Sequence, residues 1–237
     1  VACIARGGAQ AEYVVVEANA CMPLPNALSF AEGAAFPVQY LTAYHALVTV
    51  ARAAEGETVL IHAAGGGLGT AAVQVARLLG LRVLATASTP EKRARVLELG
   101  AHVAVGYEDF ERAAREFTGG RGPDIILETP GGDVMRRDLL ILPPLGRLVL
   151  VGLASKQAPP LDALKLLFRS QAVLGFHLNA IVERPELMRA SLARLFGWLA
   201  EGALKIQVGH TFPLEEVRAA HELLAGRGSY GKIVLLP

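Results

Sequence analysis

Two hydrophobic rhythms alternate along the middle of the chain. Short, nearly unbroken apolar runs occur at Thr58 to His62, Arg82 to Ala87, His102 to Val105, Asp124 to Glu128, Arg147 to Val151 and Gln171 to His177. Runs this short, rich in Val, Ile and Leu, predict strands buried on both faces. Between them, apolar residues recur at helical spacing. One helix follows the first run and ends at Gly80; a second opens at Thr89-Pro90-Glu91 and closes at Gly100. A charged helix covers Glu108 to Phe117, another runs from Asp133 to Pro143-Pro144, and Leu161 to Arg169 is the last. Strands alternating with helices predict an α/β fold with a doubly wound parallel sheet of the Rossmann kind.

The flanks read differently. Val1 to Val16 predicts strand, turn and strand, with the turn at Arg6-Gly7-Gly8-Ala9 and the second strand in AEYVVV. Met22 to Asn26 is a loop, and Ser29 with Glu32 forms a capping-box pattern ahead of a helix interrupted at Pro37. Helical spacing resumes from Tyr40 to Ala54, and Glu55-Gly56-Glu57 turns the chain into the first apolar run. Near the other end, Pro185 to Gly202 reads as an amphipathic helix with the sole Trp, Trp198, in its core face. Lys205 to Val208, Leu214 to Ala225 and Lys232 to Leu236 then predict strand, helix, strand.

The chemistry concentrates in the loop after the first apolar run, Ala64-Gly65-Gly66-Gly67-Leu68-Gly69. Strand, glycine loop and helix in that order place a pyrophosphate on free backbone N–H groups at a helix N-terminus. Gly66 lets the backbone approach the phosphates, and Gly69 lets the helix pack against the strand. In dinucleotide folds an acidic residue at the end of the second strand binds the ribose 2′-hydroxyl. Here that position is Ala87, followed by Ser88-Thr89-Pro90-Glu91-Lys92. A 2′-phosphate needs donors and positive charge, which Ser88 and Lys92 offer, so the sequence favours NADP over NAD.

Composition narrows the rest. With 237 residues and a formal charge of only +1, the chain can bury a large core and has no basic stripe for nucleic acid. Cys3 and Cys21 are isolated, which points to free thiols in a reducing cytoplasm; no apolar run is long enough to span a membrane, and no signal peptide is expected. The six histidines are scattered without metal-ligand spacing, and Tyr-x-x-x-Lys and G-x-S-x-G are both absent. GRGSYGKI at Gly226 to Ile233 nearly matches a P-loop, but it lacks the hydroxyl residue after Lys232 and runs into a strand.

Several segments together resemble one family. YLTAY at Tyr40 to Tyr44, HAAGGGLG, ATASTPEK, LGRLVLVG, LGFHL and the closing GSYGKIVLLP resemble the zinc-independent, zeta-crystallin-like quinone oxidoreductases of the medium-chain dehydrogenase/reductase superfamily. The resemblance covers essentially the whole chain in order. It implies that residues 1–44 are the later part of a GroES-like, β-rich catalytic domain, that 45–179 are the NADP-binding Rossmann domain, and that 180–237 return to the catalytic domain. It also implies an upstream segment carrying the rest of that domain. Cofactor contacts carried over by position are Thr42 near the nicotinamide ribose and Gly66, Gly67, Leu68 and Gly69 at the pyrophosphate. Ser88, Lys92 and Tyr107 match the 2′-phosphate pocket. Val151, Gly152 and Leu153, with Gly175, Phe176, His177 and Leu178, match the nicotinamide site, and Lys232 stands near the phosphates. Zinc-dependent relatives place a Cys ligand where this chain has Val38, so no metal is expected. The resemblance implies NADPH-dependent reduction of a quinone or an activated C=C or C=O, and a homodimer joined at the edge strand Gln171 to Phe176. An enoyl-thioester reductase and a non-catalytic NADPH-binding protein are the alternatives.

Overall fold

The computed structural model describes residues 1–5 and 7–237. At its start, strand β1 (Ala2–Cys3) pairs antiparallel with β2 (Cys21–Met22). The strand expected in Ala11 to Val16 does not form, and Tyr13 and Val15 are 90% and 100% exposed. Valine and tyrosine favour strands only where a neighbouring strand takes their hydrogen bonds and side chains, and none lies beside this segment among the described residues. The turn expected at Arg6 lies outside those residues.

The helical region that follows starts as expected but ends at Val50 instead of Ala54, where Arg52 takes a left-handed backbone. Helix α1 (Phe30–Ala35) begins with a complete capping box between Ser29 and Glu32, and Pro37 starts α2 (Pro37–His45) as its first residue. A π-helical turn, Ala46–Val50, carries α2 towards the first long strand, β3 (Thr58–Ile61). Helix α3 (Gly67–Leu78), β4 (Arg82–Thr86), α4 (Pro90–Glu98), β5 (Val103–Val105) and α5 (Phe110–Phe117) follow. Then come β6 (Ile125–Glu128), α6 (Gly132–Ile141), β7 (Arg147–Leu150), α7 (Ala163–Arg169) and β8 (Ala172–Gly175).

These strands form one six-stranded parallel sheet in the order β5-β4-β3-β6-β7-β8. The order reverses between β3 and β6, so a crevice opens beyond their C-terminal ends. Alternate residues feed opposite faces. Val59 and Ile61 join the core beneath α2 and α3, whereas Leu60 packs with Phe110, Met135, Ile141 and Leu142 on the other side. Polar groups clamp the opposite, N-terminal ends of the strands. Arg147 reaches from β7 to both carboxylate oxygens of Glu57 at 2.9 and 2.6 Å, and Asp124 Oδ2 accepts from Thr58 N at 2.8 Å.

After a short helix α8 (Asn179–Val182), the long α9 (Pro185–Ala200) buries Trp198 and stacks Phe196 on Phe36 at 5.2 Å. Strand β9 (Val208–Pro213), helix α10 (Val217–Ala225) and β10 (Lys232–Leu236) close the chain, with β9 and β10 parallel. The first of these strands was expected at Lys205 to Val208. Lys205 is instead bonded to side chains: its N–H donates to Gln74 Oε1 at 2.8 Å, and its carbonyl accepts from Tyr40 Oη at 2.9 Å and Gln74 Nε2 at 3.0 Å. With both backbone groups committed, no ladder can start there.

Candidate functional site

The glycine loop leaves β3 and enters α3 with Gly66 in extended conformation at the cap position, where it offers no side-chain acceptor. The leading N–H groups of α3 have no acceptor within the helix, and they face the crevice with the helix dipole behind them. A Cβ on Gly69 would run into Ala63 O and the backbone of Ala64, so only glycine permits this approach of helix to loop. A Cβ on Gly67 would meet Gln39 Cγ at 3.3 Å, and one on Gly65 would meet the Lys92 side chain at 3.2 Å. The loop is therefore a close-walled cradle of backbone donors that suits a pyrophosphate.

Around it stand the residues expected from the sequence. Ala87 is buried at the end of β4, and Ser88 beyond it is exposed, while the cap of α4 is Thr89, whose hydroxyl accepts from Lys92 N. Tyr107, after β5, accepts from Ala63 N through its hydroxyl at 3.0 Å, and burial pushes its phenol above the usual value. Lys92 Nζ donates to Arg227 O at 2.7 Å, and burial pulls the ammonium down from its ordinary value. Lys232 is likewise pulled down by burial. With the Gln39 amide oriented so that nitrogen donates to Ala35 O, its oxygen accepts from Lys232 Nζ at 2.8 Å.

The residues expected at the nicotinamide lie at the C-terminal ends of β7 and β8. Val151, Gly152 and Leu153 follow β7, where Val151 N donates to Glu128 O, and Leu153 packs where a Cβ of Gly131 would stand. Gly175 ends β8 with open space around its Cα, Phe176 is half-buried, and His177 is exposed with its Nδ1 accepting from Asn179 N at 3.3 Å. Leu178 is buried in the core, so its side chain serves packing. Thr42 sits half-buried on α2, which packs against α3; no side-chain hydrogen bond among the described residues ties it to the loop.

Two residues escaped the sequence reading. Gln39 links Lys232 to the wall beside Gly67. Arg227 holds a left-handed backbone, φ 57°, that presents its carbonyl to Lys92, and its charge favours ionisation of Tyr107. Both lie far in sequence from the loop they serve. The one available signal was GRGSYGKI itself, which is no P-loop yet docks on the glycine loop, with Gly231 N donating to Gly65 O at 2.8 Å.

Comparison with known proteins agrees with this geometry. A family model described as zinc-binding dehydrogenase matches residues 67–195. Human quinone oxidoreductase is 34% identical over 232 residues, covering 97% of this chain and 69% of that protein. The quinone oxidoreductase of Thermus thermophilus, solved with and without NADPH, superposes with a TM-score of 0.90 at 44% identity, over 99% of this chain and 76% of its own. The CurK enoyl reductase superposes at 0.83 with 31% identity, over 94% and 67%. A likeness of that level, sustained along nearly the entire length, decides membership: the chain is an enzyme of the quinone oxidoreductase family within the medium-chain dehydrogenase/reductase superfamily.

Proposed function

We propose that this enzyme uses NADPH to reduce quinones or conjugated C=C and C=O bonds, without zinc. The observation that carries the cofactor reading is the environment of the β4 end. Ala87 puts no carboxylate there, and Lys92, Tyr107 and Arg227 are held together beside exposed Ser88. That set attracts a 2′-phosphate, and it would gain little from a bare ribose hydroxyl. The backbone donors of Gly67, Leu68 and Gly69 hold the pyrophosphate, with Lys232 positioned by Gln39 beside them.

When bound, the nicotinamide supplies a hydride to the acceptor. The chain's own part is placement. Val151, Gly152 and Leu153 offer a backbone shelf anchored through Val151 N to β6, and Leu153 with Phe176 keeps apolar surface at the reacting end. Residue 38, where zinc-dependent relatives carry a Cys ligand, is a half-exposed Val38 and offers no metal donor. In this reading residues 45–179 are the cofactor domain, 1–44 and 180–237 belong to the catalytic domain, and the enzyme is cytoplasmic, in keeping with two free thiols.

β8 forms one open edge of the sheet, and α7 beside it exposes Leu164, Leu167 and Phe168 at 65%, 68% and 83%. An unpaired edge beside apolar side chains suits a second copy of the chain. Analytical ultracentrifugation at micromolar concentration should find a homodimer; a monomer would reject that pairing.

The primary test is direct. NADPH should bind more tightly than NADH, and NADPH should be oxidised in the presence of simple quinones or enones after chelation of metals. Oxidation with neither class would overturn the reaction. The likeness to CurK favours one rival, an enoyl-thioester reductase, which thioester substrates in the same panel would reveal. Tight NADPH binding without any turnover would instead mark a non-catalytic cofactor-binding protein.

A further inference from the structure

Beneath the glycine loop the sheet buries three ionisable groups that cofactor binding does not use. His62 follows β3, Glu128 ends β6 and Asp138 lies on α6; all three are buried, and one donor atom from each lies within 4.8 Å of the others. His62 Nε2 is 2.9 Å from Asp138 Oδ1, and His62 Nδ1 is 2.9 Å from Thr86 Oγ1. Glu128 Oε1 accepts from Gly131 N. If both carboxyls were ionised, Glu128 Oε2 and Asp138 Oδ2 would have no donor, and two anions would share one sealed cavity. The neighbouring cation, Arg137, is already committed, donating to Glu111 Oε2 at 2.9 Å and to Tyr107 O at 3.0 Å. A single proton held between the carboxyls would give both orphaned oxygens a partner.

We propose that Glu128 and Asp138 share one proton, Glu128 donating to Asp138, and that with neutral His62 this pair positions the two loops that hold the cofactor. Two contacts carry the positioning. The His62 ring stacks on Tyr107, with centroids 5.9 Å apart, and the Tyr107 hydroxyl bonds Ala63 N at the start of the glycine loop. On the other side, Glu128 fixes Gly131 N at the start of α6, against which Leu153 packs. None of the three touches the cofactor site itself. They are positioning residues, and sharing a proton makes their geometry sensitive to pH.

The direction follows from burial. Desolvation, reinforced by the bond to Asp138, pushes Glu128 up to about 8, while Asp138 is pushed up by burial against the opposing bond from Glu128. Arg137 pulls Asp138 down and Glu111 pushes it up. Burial pushes His62 down to about 4, with Glu128 opposing and Arg137 assisting. Between the ordinary carboxyl value of 4.5 and about 8, the folded chain holds a proton that the unfolded chain has released. That contribution is full at low pH and lost as pH rises through about 8. His62 acts oppositely, its contribution lost as pH falls from 6.5 through about 4, so it does not shape the alkaline limb; burial also pulls Lys92 and Lys232 down, and Glu128→Gln separates their part from that of the carboxyl pair.

The test begins with the cofactor-free protein. Infrared difference spectra of wild type should show a protonated carboxyl that titrates away under mildly alkaline conditions, and Glu128→Gln should lack it. Asp138→Asn, which removes the anionic neighbour, should lower the midpoint of that titration. In wild type, NADPH affinity should fall by roughly fivefold or more on the alkaline side, the size expected of ordinary coupling between sites. In Glu128→Gln the alkaline fall should be clearly smaller, the remainder being the part that Lys92 and Lys232 contribute. No protonated carboxyl in folded wild type at neutral pH would overturn the proposal. So would an unchanged alkaline limb in Glu128→Gln, or a stoichiometric divalent metal held by the trio on elemental analysis. The infrared arm needs no cofactor, so an error in the NADPH reading cannot be mistaken for an error here.

Discussion

Gly69→Ala is the sharpest test of how the loop is built. The added Cβ would collide with Ala63 O and with backbone atoms of Ala64, none of which belongs to a side chain that can swing away. Ala64 is itself pinned, since its N–H donates to Thr86 O at 2.9 Å, and Gly66 N is tied to Ala63 O at 2.9 Å. Relief therefore requires α3 to move off β3, where Ala71, Ala72 and Val75 are packed without exposed surface. Overpacking of this kind costs about 1–3 kcal/mol, and the absence of a flexible partner puts this case near about 3. For a chain of this size each kcal/mol shifts Tm by about 2–4 °C, so the variant should melt roughly 6–12 °C lower. Calorimetry on the cofactor-free protein reads the packing term; titration with NADPH then reads the displacement of the leading N–H groups. A variant that melts within about a degree of wild type and binds NADPH equally well would refute the close approach argued from Gly69.

Three further outcomes follow from other contacts. Lys92→Ala removes one charge beside the β4 end and should weaken NADPH by about 10–150-fold, the worth of a charge-assisted hydrogen bond, while leaving NADH nearly untouched; equal losses for both would remove Lys92 from the 2′-phosphate pocket. Glu57→Gln breaks a half-buried bidentate pair with Arg147 and should cost about 1–2 kcal/mol by denaturant titration near neutral pH. Arg147 holds the Glu57 carboxyl below its ordinary value of 4.5, so this contribution is present above 4.5 and lost as pH falls through the lowered value. The gap between Glu57→Gln and wild type should therefore close in acid. Gly197→Ala places a Cβ in open space within α9 and should raise stability by about 0.5–1 kcal/mol.

The central sheet was legible because strands buried on both faces write themselves as continuous apolar runs. Val59 to Ile61 and Ile125 to Leu127 read as strands without knowledge of their neighbours, and so did the capping box at Ser29. Where a strand depends on its partner, the pattern misled. Tyr13 to Val16 has every residue preference for a strand and lies beside none among the described residues, and Lys205 lost its place in a ladder to Gln74 and Tyr40. The same division holds at the site. The glycine loop and Ala87 speak through local sequence, whereas Gln39 and Arg227 act only because folding carries them to distant partners. The carboxyl pair was invisible for a related reason: Glu128 and Asp138 sit in separate elements with ordinary neighbours, and only burial together makes them unusual.

The contact between the glycine loop and the segment Arg227 to Gly231 has a consequence for assembly. The cradle is laid down early in synthesis, but one wall arrives much later, when Gly231 N bonds Gly65 O and Arg227 O receives Lys92. A cofactor bound as proposed would touch both units at once. By mass action, a ligand at a hundredfold its Kd stabilises whatever it bridges by about 2.7 kcal/mol. Bound in that way, NADPH would act as mortar between the sheet and the β9–β10 unit, as well as a source of reducing power.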